Sequence, residues 1–190
     1  DIDKKKLSNA DYLYFTGYMW DTESQKSAIK TALQIAKDNN VKIVFDVADP
    51  FVVRRNKEAF LRMIKKDIDI VFANKLELNI LFDSENLEFC VDKLGILVNN
   101  FGIKLGKRGS LVVDCNKSYL INPSPIKAKD STGAGDMYAA GFLTSLAKGK
   151  GYHEAGIVAV HLAEEVIQID GAQFGNKDFL VIAKKVFANF

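Results

Sequence analysis

The chain has 190 residues, a formal net charge of +2 at pH 7 and an apolar share of 48%. That size suits one domain with a substantial core, the apolar share argues against disorder, and the near-balanced charge implies no commitment to nucleic acid or a membrane surface. No window approaches ~18 uninterrupted apolar residues, so no membrane-spanning helix is expected. The two cysteines, Cys90 and Cys115, stand in no metal or redox spacing. With no recognisable leader, the expectation is a pair of buried free thiols in a reducing cytoplasm.

In chain order, aromatic-rich Tyr12–Met19, with Gly17 near its end, predicts a buried strand. Asp21 or Thr22 caps a helix whose apolar positions Ala28, Ile29, Ala32, Leu33, Ile35 and Ala36 keep helical spacing until Asn39-Asn40. Val41–Val47 predicts a second strand, largely apolar, and the three elements form a βαβ unit with a right-handed crossover. Asp46 and Asp49 fall at its carboxyl end, where open parallel sheets bind ligands. Arg54 and Arg55 read as solvated helix charges or as phosphate ligands.

Lys57–Lys66 predicts a helix with Phe60, Leu61 and Ile64 inward, and Ile70–Ala73 a short third strand. Asn74 then opens another helix, and Glu77, three positions on, can reach back to it as a capping partner. Leu87, Val91, Leu94 and Val98 repeat at helical spacing, and a fourth strand, Phe101–Leu105, ends in the turn Gly106-Lys107-Arg108-Gly109. Ser110–Asp114 and Lys117–Ile121 flank Cys115-Asn116 as a hairpin. Asn122–Lys129 carries no helix, Met137–Leu146 is a nearly all-apolar buried helix, and Lys148–Gly151 is an exposed turn. His153–Ile169 and Phe179–Phe187 predict the last two helices. The alternation points to a three-layer α/β/α sandwich with a mostly parallel sheet, one domain over residues 1–190.

The chemistry concentrates in Asp130-Ser131-Thr132-Gly133-Ala134-Gly135-Asp136. Two carboxylates bracket a small-residue turn that runs into the apolar helix. Gly133 and Gly135 let the backbone bend and a ligand approach, and the first helical N–H groups have no partner within the helix. With the positive end of the dipole they make an anion cradle, most simply for phosphate. Asp136 falls in the first helical turn; free aspartate ionises near pH ~4, so at neutral pH it is a proton acceptor beside that cradle. The competing reading is a Gly-rich helix start with Asp at both ends.

The stretch resembles the D-T-T-G-A-G-D signature of the ribokinase-like (phosphofructokinase-B-type) sugar and nucleoside kinases, with Ser131 in place of a Thr. The resemblance implies an ATP-dependent phosphotransferase in which the amides of Gly133, Ala134 and Gly135 form the anion hole and Asp136 takes the acceptor proton. Asn74-Lys75-Leu76-Glu77 matches the family's N-x-x-E, which implies Asn74 beside the nucleotide and Glu77 holding Mg2+ through its waters. Gly106–Gly109 resembles the T-L-G-x-x-G turn, which implies nucleotide contacts at Gly106 and Gly109, with Lys104 standing where the family usually has Thr. Thr132 is a further implied nucleotide contact. Asp170-Gly171-Ala172-Gln173 resembles a turn that binds a monovalent cation, K+ for instance, together with Asp130. Asp49–Arg55 resembles a segment of adenosine-kinase-like members and favours an adenosine-like acceptor among sugars and nucleosides.

Family members run longer and carry a lid in their early part. A fragment or shortened form is therefore expected, with the N-terminal part and lid missing. That lid is often the dimer surface, so a full-length form has room to be a homodimer. The alternative reading is a non-catalytic nucleotide-binding or scaffold protein of the same fold.

Overall fold

In a computed structural model that describes residues 2–187, helices and strands alternate along the chain. Asp1, where the expected incomplete opening begins, lies outside the described residues. The strands are β1 (Tyr12–Thr16), β2 (Lys42–Asp46), β3 (Ile70–Asn74), β4 (Asn100–Lys104), β5 (Ser110–Asp114) and β6 (Lys117–Ile121). They form one sheet in sequence order. β1 and β2 are parallel with Thr16 opposite Asp46, and β2 and β3 are parallel with Asp46 opposite Phe72. The helices are α1 (Lys4–Ser8), α2 (Glu23–Asp38), α3 (Pro50–Asp67), α4 (Lys75–Phe82), α5 (Leu87–Leu97), α6 (Ala134–Ala147), α7 (Tyr152–Val166) and α8 (Asn176–Phe187). This is the α/β fold with a mostly parallel sheet that the alternation predicts. None of the described helices is long and apolar enough to cross a membrane.

The chain divides into two compact units, one running to Ile103 with Val113–Lys117, the other comprising Lys104–Val112 and the chain from Ser118 onward. In the first, β2 and β3 are almost wholly buried, and Phe45 packs between Phe15, tilted at 5.2 Å, and Phe60, edge-on at 5.0 Å. β1 stops at Thr16, short of the expected Met19, and Gly17–Trp20 is a turn of 3-10 helix. A Cβ on Gly17 would strike the Val47 carbonyl and lie 3.2 Å from the Phe60 ring, so only glycine lets the backbone turn there. α3 begins well before the expected Lys57. Asp49 accepts hydrogen bonds from the Phe51 and Val52 amides at 2.8 and 3.1 Å, and Pro50 occupies the first turn, where its missing N–H costs nothing.

In the second unit α6 lies against α7. A Cβ on Gly141 would sit 3.0 Å from both Ala159 Cα and the Val158 carbonyl, a contact that draws the two backbones together. Phe142, Val158, Ala159 and Val166 are fully buried, and the hydroxyls of Ser110 and Tyr138 share a buried hydrogen bond of 2.6 Å. One expectation is corrected. Cys90 is buried, but Cys115 is exposed, because it occupies the hairpin tip with a φ of 52°.

Candidate active site

The segment that leads into α6 is fixed along the end of α7. The Ser124 amide donates to the buried carboxylate of Glu164, and the Lys129 and Asp130 amides donate to the Ile167 carbonyl at 2.7 and 3.3 Å. Asp130 then anchors the bend. Its Oδ1 accepts from the Thr132 hydroxyl at 2.6 Å and the Thr132 amide at 2.9 Å, and its Oδ2 accepts from the Gly171 amide at 3.1 Å. These bonds, the Thr132 hydroxyl first, hold its carboxyl below the ordinary aspartate range. Asp130 and the Gly171-Ala172-Gln173 turn, linked only by resemblance in the sequence, are thus joined in space.

Gly133 precedes α6 with a φ of 79° and supplies no side-chain cap. A Cβ there would sit 2.8 Å from the Ala172 carbonyl oxygen and 2.9 Å from its Cα, so the bend is both left-handed and pressed against backbone. Of the expected anion-hole amides, Ala134 donates to the Ser131 carbonyl at 3.2 Å. The amides of Gly135 and Asp136 have no hydrogen-bond partner among the described residues. The Asp136 side chain is exposed on this first turn rather than folded into the core. Bare N–H groups and a carboxylate therefore share one helix end.

Near the start of the same unit, Gly106 has a φ of +59°, and no atom lies within 4 Å of where a Cβ would stand, so its backbone faces open space. Gly109, at φ +78°, is different: a Cβ would collide with the Ile121 carbonyl and come within 2.9 Å of Pro123. The Gly106 position is open, whereas Gly109 is demanded by packing.

Asn74 and Glu77 belong to the other unit and form a reciprocal cap. The Glu77 amide donates to Asn74 Oδ1 at 2.9 Å, while Glu77 accepts from the Asn74 amide at 2.8 Å and from its Nδ2. Glu77 is only 1% exposed. Elsewhere in that unit, Arg55 pairs with both oxygens of Asp21 at 2.9 and 3.1 Å, and the Arg54 guanidinium lies 6.0 Å from the Phe51 ring. No group of three or more His, Cys, Asp or Glu among the described residues is arranged to cage a metal.

Residues 1–178 match the pattern of the pfkB family carbohydrate kinases. The chain belongs to that family. It is 29% identical over 153 residues to a 5-dehydro-2-deoxygluconokinase of Clostridium botulinum, covering 75% of this chain and 45% of the relative. An uncharacterized sugar kinase of Archaeoglobus fulgidus is 26% identical, over 92% of this chain and 68% of the relative. The crystal structure of adenosine kinase from Sinorhizobium meliloti superposes with a TM-score of 0.89 at 30% identity, covering 92% of this chain and 54% of that one. This pfkB-family chain therefore spans about half the length of the clostridial and rhizobial kinases.

Two contributors carry no clear signal in the sequence. Glu164 sits mid-helix and shows no pattern that marks it as the acceptor for a loop amide forty positions away. Lys104 registers in sequence only as a departure from a motif, yet its ammonium lies 3.4 Å from where a Gly135 Cβ would stand.

Proposed function

We propose that this chain carries the nucleotide-binding and phosphoryl-transfer part of an ATP-dependent kinase whose acceptor is a hydroxyl of a sugar or nucleoside, an adenosine-like one favoured. The observation that carries this reading is the start of α6, where unpartnered amides of Gly135 and Asp136 adjoin the exposed Asp136 carboxylate. Family membership supplies the reaction class. The adenosine lean rests on the Asp49–Arg55 resemblance and on the rhizobial adenosine kinase; the clostridial relative makes a keto-sugar acid the second acceptor to try.

Asp136 orients the acceptor hydroxyl and receives its proton. An alcohol proton, judged by water, has a pKa near ~15–16 against ~4 for aspartate, so complete transfer beforehand would cost roughly 15 kcal/mol. The proton therefore moves late, as the oxygen bonds to the γ-phosphorus and the bond to the departing ADP breaks. The bend offers the N–H groups of Gly135 and Asp136 to the equatorial oxygens, where preorganised donors lower the barrier. Magnesium, when bound, supplies neutralising charge on the phosphates. Glu77 would meet it only through water, since its side chain is buried and both of its oxygens already serve the cap. Asp130 with the Gly171–Gln173 turn is the proposed seat of a monovalent cation such as K+; three of the carboxylate's roughly four acceptor positions are already filled by Thr132 and Gly171.

The test is isotope-labelled ATP with a panel of nucleosides, sugars and keto-sugar acids, given to this chain and to any longer form containing it. Labelled phosphate appearing on an alcohol supports the reading. ATP binding without product in either form would favour the binding-only alternative.

A further inference from the structure

Glu164 is the one charged residue among the buried positions of α7, which are otherwise Ala, Gly, Val and Leu. A carboxylate in apolar surroundings is costly unless hydrogen bonds satisfy it. Its partner is the Ser124 amide, forty positions earlier in the chain. Ser124 lies between Pro123 and Pro125, neither of which has an N–H, so in this stretch Ser124 alone has a backbone donor to offer. The prolines also stiffen the segment, by fixing their own φ and restricting the residue before each. A stiff segment passes a displacement at Ser124 along the chain instead of absorbing it.

That junction leads to the site in both directions. On one side, Pro123 packs on the Gly106–Gly109 turn, since a Cβ on Gly109 would come within 2.9 Å of it. On the other, the chain reaches Lys129 and Asp130, whose amides bond the Ile167 carbonyl three positions beyond Glu164. Asp130 in turn holds Thr132 and Gly171. The end of α7 therefore grips the segment at two places, and one of the two grips is the Glu164 side chain.

We propose that Glu164 is a positioning residue for phosphoryl transfer: through the Ser124 amide it sets where the segment delivers Asp130 and the bend before α6. The proposal rests on the phosphoryl-transfer reading of that bend. The role needs an acceptor oxygen at this place, not a negative charge.

The experiment compares Glu164→Gln, which keeps an acceptor oxygen, with Glu164→Leu, which removes it at similar volume. Turnover is measured in a form that transfers phosphate, and amide resonances and thermal melts in this chain. Glu164→Leu is expected to lower kcat by about tenfold or more with the acceptor KM changed by under about twofold, because a reacting group misplaced by ~1 Å costs up to ~10²-fold. The Thr132 and Gly171 amide resonances should move in the same variant. Glu164→Gln should bring kcat back to within about threefold of the parent and return both resonances. A fall in Tm with kcat and both resonances unchanged makes Glu164 purely structural and overturns the proposal. So does a loss of kcat in Glu164→Gln equal to that in Glu164→Leu. Should Glu164→Leu fail to fold, Ser124→Pro removes the donor instead and is expected to give the same loss of kcat; parent-like kcat there overturns the proposal too. A parent that transfers no phosphate to any alcohol sinks the phosphoryl-transfer reading, and the proposal with it. A parent that turns over, with Glu164→Leu equally active, sinks only the role of Glu164.

Discussion

Two helices of this protein begin in opposite ways. α4 starts with Asn74 and Glu77 bonded to each other's backbone, with Glu77 buried and its first-turn amide held by the Asn74 side chain. α6 starts with Gly133, which has no side chain to offer, and leaves the Gly135 and Asp136 amides bare beside an exposed carboxylate. Every helix has four orphan N–H groups at its start. A chain that spends side chains on them closes that end, and one that withholds them keeps a place for a ligand. Both starts follow motifs of one kinase family, so the family motif alone does not distinguish a cap from a cradle; the presence of a side-chain cap at α4 and its absence at α6 does.

Removing the carboxylate from the open start gives the largest expected effect. In a form that turns over, Asp136→Asn is expected to lower kcat by at least ~10²-fold, the range of general-base help, with ATP affinity largely kept. Equal turnover would take Asp136 out of the reaction. Filling the bend comes next. Gly133→Ala meets a left-handed φ and the Ala172 backbone together, and is expected to cost about 1–3 kcal/mol in denaturant unfolding and to weaken ATP. Gly149→Ala is its control, because Gly149 has a similar φ of +78° with no atom within 4 Å of its Cβ position. It should show the strain without the loss of ATP affinity, and an equal ATP loss in both would dissolve the special standing of the bend. At the closed start, Asn74→Ala is expected to cost about 1 kcal/mol from the lost cap, read as a drop in Tm of about 2–4 °C. A larger fall in ATP affinity than in stability would show that this cap also serves the nucleotide.

Much of this is legible in the chain itself. The hairpin bounds Ser110–Asp114 and Lys117–Ile121 follow from alternation around a polar tip, and β2, β3, α2 and α5 follow from apolar period and caps. The start of α3 is harder to place: Asp49-Pro50 is a strong helix-entry pair, but the same residues resemble a ligand segment, and the apolar spacing is clearest only from Lys57. Cys115 departs from expectation because an apolar prior for cysteine says nothing about a two-residue turn that needs a positive φ. The bend and its two carboxylates are visible as a motif. The engagement of the Ala134 amide by Ser131 is not, since a local hydrogen bond depends on dihedrals that the letters leave open. Lys104 near Gly135 is hidden for a plainer reason: thirty-one positions separate them, and only the folded strand brings the ammonium across.

The smallest expected effect lies at the anchor that holds the open bend in shape. Hydrogen bonds from Thr132 and Gly171 keep the Asp130 carboxyl below the ordinary range, so the folded state holds this group ionised to lower pH than the unfolded chain does. A depressed carboxyl contributes fully above the unfolded value near ~4, and its contribution fades as pH falls through the lower folded value. The Gly171 and Thr132 amide resonances should therefore stay constant from neutral pH down through ~4 and move only below it. Asp130→Asn should remove that movement while leaving the capped start of α4 unchanged. If those amides instead move at or above the ordinary carboxylate range, the bend is not held by Asp130, and the difference between the two helix starts must come from Gly133 alone.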